Sequence, residues 1–177
     1  MISKSWLRLI RIPGEEVEQM ADGLDVIIVD DDSNVCEVVT EVVQTFYTWG
    51  EVKAFTDVNT AASYCLNREV GVAIFIVDVF LGGKNGFYFL DTIEEKFPTA
   101  HEDSIIITGN ASDDVVNMCV ASNVNYLLEK PVRAYALQLA VRSIVSKYLK
   151  FSKMLLKDPS FAAIVAKVGP THNADTG

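Results

Sequence analysis

The run VAIFIVD at residues 72–78 joins six consecutive apolar residues to a single aspartate, Asp78. A strand that is apolar on both faces is typical of a parallel sheet whose two faces are covered by helices. A second run of this kind, VIIV at residues 26–29, ends in three aspartates, Asp30, Asp31 and Asp32. Because a carboxylate beside a buried strand is costly unless it is paired, these acidic strand ends indicate a binding or reaction site.

Segments with helical periodicity alternate with short apolar runs on both sides of Asp78. Further strands are predicted at residues 52–55, 105–107 and 124–128, and helices at residues 35–46, 58–67, 87–97, 113–121 and 137–148. Five βα units in strict alternation imply the α/β class. We predict a single doubly wound, five-stranded parallel sheet of strand order 2-1-3-4-5, the flavodoxin-like arrangement.

Composition excludes several classes of protein. The 177 residues include 15 Lys and Arg against 24 Asp and Glu, so the formal net charge is −9 and nucleic acid is a poor partner. No apolar run approaches the ~20 residues that span a bilayer. The widely spaced Cys36, Cys65 and Cys119 fit buried free thiols better than disulfides, which favours a cytoplasmic protein. Neither His101 nor His172 is expected to have a second metal ligand near it at metal-binding spacing.

The two ends of the chain differ from the central βα units. In residues 1–23, Trp6, Leu9 and Ile10 would share one face of a short helix that docks on the domain or on a partner, and a partly ordered extension fits the same sequence equally well. Lysines at 147, 150, 153 and 157 fall on one side of an extended last helix. We therefore predict an N-terminal extension at 1–23, the folded domain at 24–148, and a helical extension with a flexible tail at 149–177.

Four of the predicted strands end in polar groups at the same edge of the sheet. The first ends in Asp30 and Asp31, the third in Asp78, the fourth in Thr108, and the fifth continues into Lys130. Ligand sites of parallel α/β sheets lie beyond these carboxyl ends. Two like charges ~4 Å apart repel by about 4 kcal/mol at an effective dielectric near 20, so the carboxylates require a cation. An all-oxygen site with room for water and phosphate oxygens favours Mg²⁺.

The charges of this site suit phosphoryl transfer. The three carboxylates contribute −3 while Mg²⁺ and Lys130 together contribute +3, so the site is near neutral before a phosphoryl group arrives. Asp78 is the predicted nucleophile. The hydroxyl of Thr108 and the ammonium of Lys130 can reach oxygens of the resulting acyl phosphate, and the small Gly109 leaves that group accessible.

These motifs, in this order, resemble the response-regulator receiver domain. The resemblance rests on Val29-Asp30-Asp31, Val77-Asp78, Thr108 and Lys130-Pro131, with separations of 30 and 22 residues between the last three motifs, and it covers residues 24–148. It implies that a sensor histidine kinase or a phosphotransfer protein phosphorylates Asp78. It also implies a signalling domain of a two-component phosphorelay rather than an enzyme, with at most slow self-dephosphorylation.

The resemblance assigns a role to each matching residue. Asp31 and Asp78 would bind Mg²⁺ directly, Asp30 would act through a metal-bound water, and the backbone carbonyl of Phe80 would complete the protein ligands. Asp32 falls outside this set and is expected to begin a helix, where the macrodipole favours it. Gly86 matches the glycine that receivers keep after the phosphoacceptor loop.

Two positions depart from the family pattern. Gly82 stands where many receivers carry proline, and Leu127 stands where they usually carry a Tyr or Phe that swings inward on activation. Tyr126 is one residue away and would point to the other face of its strand. In the family, a threonine and this aromatic residue change position together on activation. The threonine is therefore retained as Thr108, and the aromatic residue is replaced by Leu127. By analogy, the output contact, including a homodimer, would use the face formed by the fourth helix, fifth strand and fifth helix.

Two other functions compete with the receiver interpretation. Asp30-x-Asp32 resembles the nucleophile and acid of haloacid-dehalogenase-type phosphatases, but that family needs an acidic pair on a later strand, and the only later acids are Asp158 and Asp175. That interpretation also leaves Asp78 without a role. The other alternative is a binding module that keeps the receiver fold and works without phosphorylation; Leu127 favours it and the complete acidic set argues against it.

Overall fold

The predicted apolar strands form the centre of the computed structural model, which describes residues 23–168. The main sheet consists of β1 (Val26–Val29), β2 (Val52–Phe55), β3 (Ile74–Asp78), β6 (Ser104–Thr108) and β7 (Tyr126–Glu129). Its order is β2-β1-β3-β6-β7 with every neighbouring pair parallel, so the predicted order 2-1-3-4-5 of the five long strands is confirmed. A short antiparallel hairpin, β4 (Phe80–Leu81) and β5 (Lys84–Asn85), follows β3.

Helices cover both faces of the sheet because successive strand residues point to opposite sides. The helices are α1 (Ser33–Gln44), α2 (Val58–Leu66), α3 (Gly86–Ile93), α4 (Asp113–Ala121), α5 (Ala134–Lys157) and α6 (Pro159–Val168). One core joins β1 and β3 to α1 and α5, and the other joins them to α2, α3 and α4. The three cysteines are free and buried in these cores, as predicted. No helix within residues 23–168 is long and apolar enough to cross a membrane.

Several element boundaries differ from the sequence predictions by a few residues. Helix α3 ends at Ile93 rather than at residue 97, because the residue before Pro98 is disfavoured in helical backbone. The β4–β5 hairpin lies between the predicted third strand and third helix, where the sequence analysis predicts no strand. Helix α5 continues without interruption to Lys157, in agreement with the extended last helix predicted from the spacing of its lysines. The predicted N-terminal helix and the C-terminal tail lie in residues 1–22 and 169–177, outside the described part of the chain.

Gly86 sets the distance between α3 and the strand that carries Asp78. The β4–β5 hairpin turns through Gly82 and Gly83, whose φ angles are +52° and +95°, and α3 then begins at Gly86. A Cβ atom at Gly86 would lie 2.3 Å from the carbonyl oxygen of Asp78 and 2.7 Å from Cγ1 of Val77. Only glycine therefore allows the helix to start this close to β3.

Two buried carboxylates lie at the amino-terminal edge of the sheet. Asp25, before β1, is 2 % exposed and lies 2.5 Å from the guanidinium of Arg68, and it accepts the Glu51 amide at 2.7 Å. Asp103, before β6, is fully buried and binds the side chains of Lys147 and Tyr148 from α5, together with Thr99. These pairs connect α2 and α5 to the strand starts.

Replacing Gly86 by Ala should lower the free energy of unfolding by about 1–3 kcal/mol, since the added methyl group overpacks against the backbone of β3. Urea denaturation measures the change. Gly109→Ala is the matched control, because nothing lies within 4 Å of a Cβ at Gly109; its effect should stay within about 0.5 kcal/mol. Equal effects of the two substitutions would contradict the close approach at Gly86.

Replacing Arg68 by Met should cost about 3–5 kcal/mol of unfolding free energy, since it leaves the Asp25 carboxylate buried without a counter-charge. The control is Lys53→Met, which removes a 2.6 Å ion pair with Glu51 whose side chains are 43 % and 65 % exposed. Exposed pairs contribute about 0–1 kcal/mol, so the control should be nearly neutral in the same urea titration. A similarly small loss for Arg68→Met would show that the Asp25 pair is solvated.

Candidate functional site

Four polar residues gather at the carboxyl edge of the main sheet, where the sequence predicted a site. Asp30 follows β1, Asp78 ends β3, Thr108 ends β6, and Lys130 follows β7. The parallel register pairs Val29 with Val77 and Thr108 with Glu129, so the strand ends are level with one another.

Lys130 lies at the centre of this group. Its ammonium Nζ is 2.7 Å from Oδ2 of Asp30 and 2.7 Å from Oδ2 of Asp78. Asp30 is fully buried and Asp78 is 5 % exposed, whereas the lysine side chain keeps 22 % of its surface. The Lys130 amide also donates to the Thr108 carbonyl at 2.8 Å, which fixes where the lysine leaves the strand.

The pKa shifts follow from burial and charge. Burial raises the pKa of Asp30, and the hydrogen bond and charge of Lys130 and the Asp32 amide oppose this rise only in part. For Lys130, burial alone would lower the pKa, but the hydrogen bonds and charges of Asp30 and Asp78 outweigh it, so the pKa rises. The lysine therefore remains protonated throughout the physiological range.

Asp30, Asp31 and Asp78 meet the requirements of a site for a hard divalent cation. Each offers a carboxylate oxygen, and the three oxygens lie within 4.8 Å of one another. Asp31 is exposed and accepts the Gly82 amide at 3.2 Å, so the hairpin after β3 holds it over the group. Oδ2 of Asp30 is buried, with the Lys130 ammonium as its counter-charge. An all-oxygen donor set beside buried negative charge fits Mg²⁺.

Phe80 and Gly109 border the site. The Phe80 amide lies 3.3 Å from Oδ1 of Asp78, and its side chain is 64 % exposed beside the hairpin. The predicted metal contact of the Phe80 carbonyl stays a prediction. Gly109 has open space on its side-chain side, which leaves an approach to Asp78 and Lys130 from the β6–α4 loop.

The Thr108 hydroxyl is engaged within its own loop. It donates to the Asn110 carbonyl at 3.0 Å and accepts the Asn110 amide at 3.2 Å, although the residue itself is fully buried. The same loop is tied to β7 by a 3.2 Å bond from the Ala111 amide to Oε1 of Glu129. The sequence analysis did not single out Glu129, because a glutamate at a strand end carries no distinguishing pattern.

Leu127 and Tyr126 point to opposite sides of the sheet. Leu127 packs with the core beneath α2, α3 and α4. Tyr126 packs with the opposite core, and its hydroxyl lies 2.7 Å from Oγ of Ser143 on α5. An aliphatic side chain therefore occupies the side of β7 that faces α4, and the neighbouring tyrosine is bound to α5.

Asp32 belongs to helix α1 rather than to the ion group. Its Oδ1 accepts the Asn34 amide at 2.9 Å, which makes it the N-cap of α1. Its own amide donates to Oδ1 of Asp30 at 2.9 Å. The expected helix-start role is confirmed, and the residue contributes one backbone hydrogen bond to the site.

A second group of possible metal ligands lies near the opposite edge of the sheet. Asp91 and Glu94 at the end of α3 bring carboxylate oxygens within 4.8 Å of a ring nitrogen of His101. The expectation that His101 has no ligand nearby was therefore wrong, because the turn after α3 returns the chain to the helix. His101 Nε2 lies 3.1 Å from Oδ1 of Asp91, and this pair accounts for the arrangement without a metal.

Comparisons with known proteins agree with the fold. Among solved structures, a receiver domain protein from Clostridium thermocellum is similar at 19 % identity and TM-score 0.63, over 72 % of this chain and 98 % of its own. The chemotaxis protein CheY4 of Vibrio cholerae is similar at 20 % identity and TM-score 0.58, over 68 % and 97 %. The BeF3-activated DrrB receiver domain is similar at 24 % identity and TM-score 0.57, over 70 % and 97 %.

No curated protein sequence matches the chain. The response regulator receiver domain profile matches residues 26–142, which contain Asp30, Asp31, Asp78, Thr108 and Lys130. This match spans well over half of the chain and includes all five strands of the main sheet. The chain belongs to the response regulator receiver domain family.

Proposed function

We propose that this receiver is a phosphoacceptor switch in which Asp78 takes a phosphoryl group from a sensor histidine kinase or a phosphotransfer protein. The observation that carries the proposal is the Lys130 ammonium, 2.7 Å from the carboxylates of both Asp30 and Asp78, with Asp31 at ligand distance from both. Receiver domains are signalling domains, and we propose that this one is a substrate of its kinase, with at most slow self-dephosphorylation. Three buried free thiols suit the reducing cytoplasm.

The chemistry of the step is a displacement at phosphorus. A carboxylate oxygen of Asp78 forms the new P–O bond while the bond from phosphorus to the donor's leaving atom breaks, so the product is an acyl phosphate. Asp30, Asp31 and Asp78, with the Phe80 carbonyl, would hold Mg²⁺, which neutralises charge on the transferring oxygens. Lys130 remains charged and moves from the Asp78 carboxylate to an oxygen of the acyl phosphate. Gly109 keeps the approach open.

The response to phosphorylation would begin at Thr108. Its two hydrogen bonds to Asn110 must break for the hydroxyl to reach a phosphoryl oxygen, and the β6–α4 loop follows. Because Leu127 cannot act as the usual aromatic partner, we propose that movement of this loop changes the surface of α4 directly. Exposed apolar side chains support protein contact, including a homodimer, on the face of α4, β7 and α5; they are Val116, Val120, Tyr135 and Leu139.

The two alternative functions receive less support. A phosphatase using Asp30 and Asp32 would need the Asp32 carboxylate in the site, but Asp32 caps α1. A phosphorylation-independent binding module would not need three carboxylates and a lysine at one sheet edge. The altered Leu127 remains the feature that favours it.

Incubation with Mg²⁺ and a small phosphodonor such as acetyl phosphate should add one phosphoryl group to the protein. Intact mass spectrometry reads the adduct, which should be labile to hydroxylamine as an acyl phosphate. Asp78→Asn should abolish the adduct, since the amide cannot supply the nucleophilic oxygen.

The control is Asp91→Asn, which alters the other acidic cluster and should be phosphorylated like the parent chain. An adduct that survives Asp78→Asn, or no adduct on the parent, would overturn the phosphoacceptor role. The second result would favour the binding module. Steady hydrolysis of a phosphate ester that depends on Asp30 and Asp32 would instead favour the phosphatase.

Magnesium should stabilise the chain, and it should stabilise Lys130→Met by more than the parent. Removing the ammonium leaves two buried carboxylates without a counter-charge, so a cation that binds only the folded state gains affinity. Urea midpoints with and without excess Mg²⁺ measure both effects. Asp31→Asn should reduce the shift of the urea midpoint that Mg²⁺ causes, and Asp91→Asn should leave this shift unchanged. The reverse pattern would place the metal at the Asp91 cluster.

A further inference from the structure

Helices α5 and α6 form a hairpin that extends past the folded domain. Lys147 and Tyr148 of α5 bind Asp103 at the amino-terminal edge of the sheet, and α5 continues to Lys157. Nine further residues at 1.5 Å each carry the helix ~14 Å beyond that edge. Physiological salt screens exposed charges over ~8 Å, so the end of the hairpin is electrostatically separate from the acidic domain.

The chain reverses its direction at Asp158, between α5 and α6. Its Oδ1 accepts the Phe161 amide at 3.0 Å and so caps the new helix, which begins at Pro159. The ring centroids of Phe151 and Phe161 are 5.9 Å apart. In one continuous helix, ten residues would separate these two positions by ~15 Å. The two helices are therefore neighbours that run in opposite directions.

The hairpin has one apolar face that is exposed. Met154 follows Phe151 by three residues on α5, and Ile164 follows Phe161 by three residues on α6. A step of three residues falls ~60° short of a full helical turn, in the same sense in both helices. Because the helices run in opposite directions, both steps lead to the same side of the hairpin. Phe151, Met154 and Ile164 are 44 %, 49 % and 59 % exposed, and we call these four residues the hairpin face.

Lysines border the hairpin face on both sides. Lys150 and Lys157 lie one turn before and one turn after Met154, on the side of α5 that points away from α6. Lys167 lies three residues after Ile164, on the side of α6 that points away from α5. All three lysines are exposed. The face therefore has an apolar centre and a basic rim along each helix.

We propose that the hairpin face binds an anionic lipid surface. Residues 149–167 contain four lysines and one aspartate, so their net charge is +3, whereas the whole chain carries −9. Apolar side chains at the centre can enter the boundary of the acyl chains while the lysine ammoniums at the rims reach the headgroup phosphates. Each lysine beside an anionic leaflet is expected to raise the affinity about five-fold. This surface takes no part in the proposed phosphoryl transfer.

The charge and shape of the hairpin face favour lipid over macromolecular partners. Two copies in face-to-face contact would bring their lysine rims together, and like charges oppose such a contact. Nucleic acid would match the lysines, but its phosphates would lie over the apolar centre and gain nothing from it. An acidic helix would need a groove, and the rings of Phe151 and Phe161 occupy the line between the two helices.

Flotation of the full chain with lipid vesicles tests the proposal. The chain should float with vesicles of mixed phosphatidylcholine and phosphatidylglycerol, and it should stay in solution with phosphatidylcholine alone. Met154→Asp with Ile164→Asp should abolish flotation, because charges at the centre of the face cannot enter the acyl boundary. Lys150→Gln with Lys157→Gln should lower the affinity for the mixed vesicles roughly 30-fold, since two lysines leave the rim.

The matched controls make the same changes outside the hairpin. Val38→Asp with Leu66→Asp alters side chains of α1 and α2 that are 55 % and 47 % exposed. Lys53→Gln with Arg142→Gln removes the same net charge from β2 and from the part of α5 that lies within the domain. Both controls should float like the parent chain. Far-ultraviolet circular dichroism verifies that each variant is folded.

Three results would overturn the proposal. The first is a parent chain that does not float with the mixed vesicles, and binding to polyglutamate or to duplex DNA in its place would assign the face to an acidic macromolecule. The second is flotation that survives both hairpin variants. The third is a dimer that light scattering detects without vesicles and that Met154→Asp with Ile164→Asp dissociates, which would assign the face to a second copy.

Discussion

A fully buried carboxylate, Asp30, constrains the whole carboxyl edge of this sheet. Such a group is tolerated only when a counter-charge reaches it, and Lys130 supplies one from a strand three positions away in the sheet order. The level register of the parallel strands brings that lysine to Asp30 and Asp78 at equal distances. The start of α3 at Gly86 packs directly against the backbone of Asp78 at the end of β3. The electrostatics of the site thus depend on the geometry of the sheet.

The sequence predicted this part of the molecule because its signals are local and repeated. The apolar runs predicted the strands, and the helical spacing predicted the helices that cover the sheet. The polar residues directly after the runs predicted a site, with Asp30, Asp78, Thr108 and Lys130 as its members. What it could not predict depends on tertiary partners. The bonds from Thr108 to Asn110, the contact of Glu129 with the Ala111 amide, and the return of His101 to α3 each result from a turn whose path no periodicity encodes. The sequence predicted the extended α5, whereas the contact between the rings of Phe151 on α5 and Phe161 on α6 depends on the turn at Asp158 and could not be predicted.

The β6–α4 loop is held by weak hydrogen bonds, which suits the change of state proposed for it. Neutral hydrogen bonds each contribute about 0.5–1.5 kcal/mol net, so the bonds at Thr108 and Ala111 together oppose movement by only a few kcal/mol. New charge-assisted bonds to a phosphoryl group are roughly twice as strong and can exceed that sum. With Leu127 on the side of β7 that faces α4, no ring has to cross the strand during the change. The energetic difference between the two states would then reside mainly in one loop.

The buried pairs at the other edge of the sheet have a mechanical consequence. Asp25 with Arg68, and Asp103 with Lys147 and Tyr148, connect the starts of β1 and β6 to α2 and α5. Asp25 and Arg68 are both almost fully buried, and Asp103 is fully buried beside a half-exposed Lys147, so the helices are held most firmly where the strands begin. Local unfolding free energy should therefore fall from the amino-terminal edge of the sheet to its carboxyl edge. Under the proposed function, a disturbance at Asp78 would then tilt the outer helices about a fixed base formed by these two pairs.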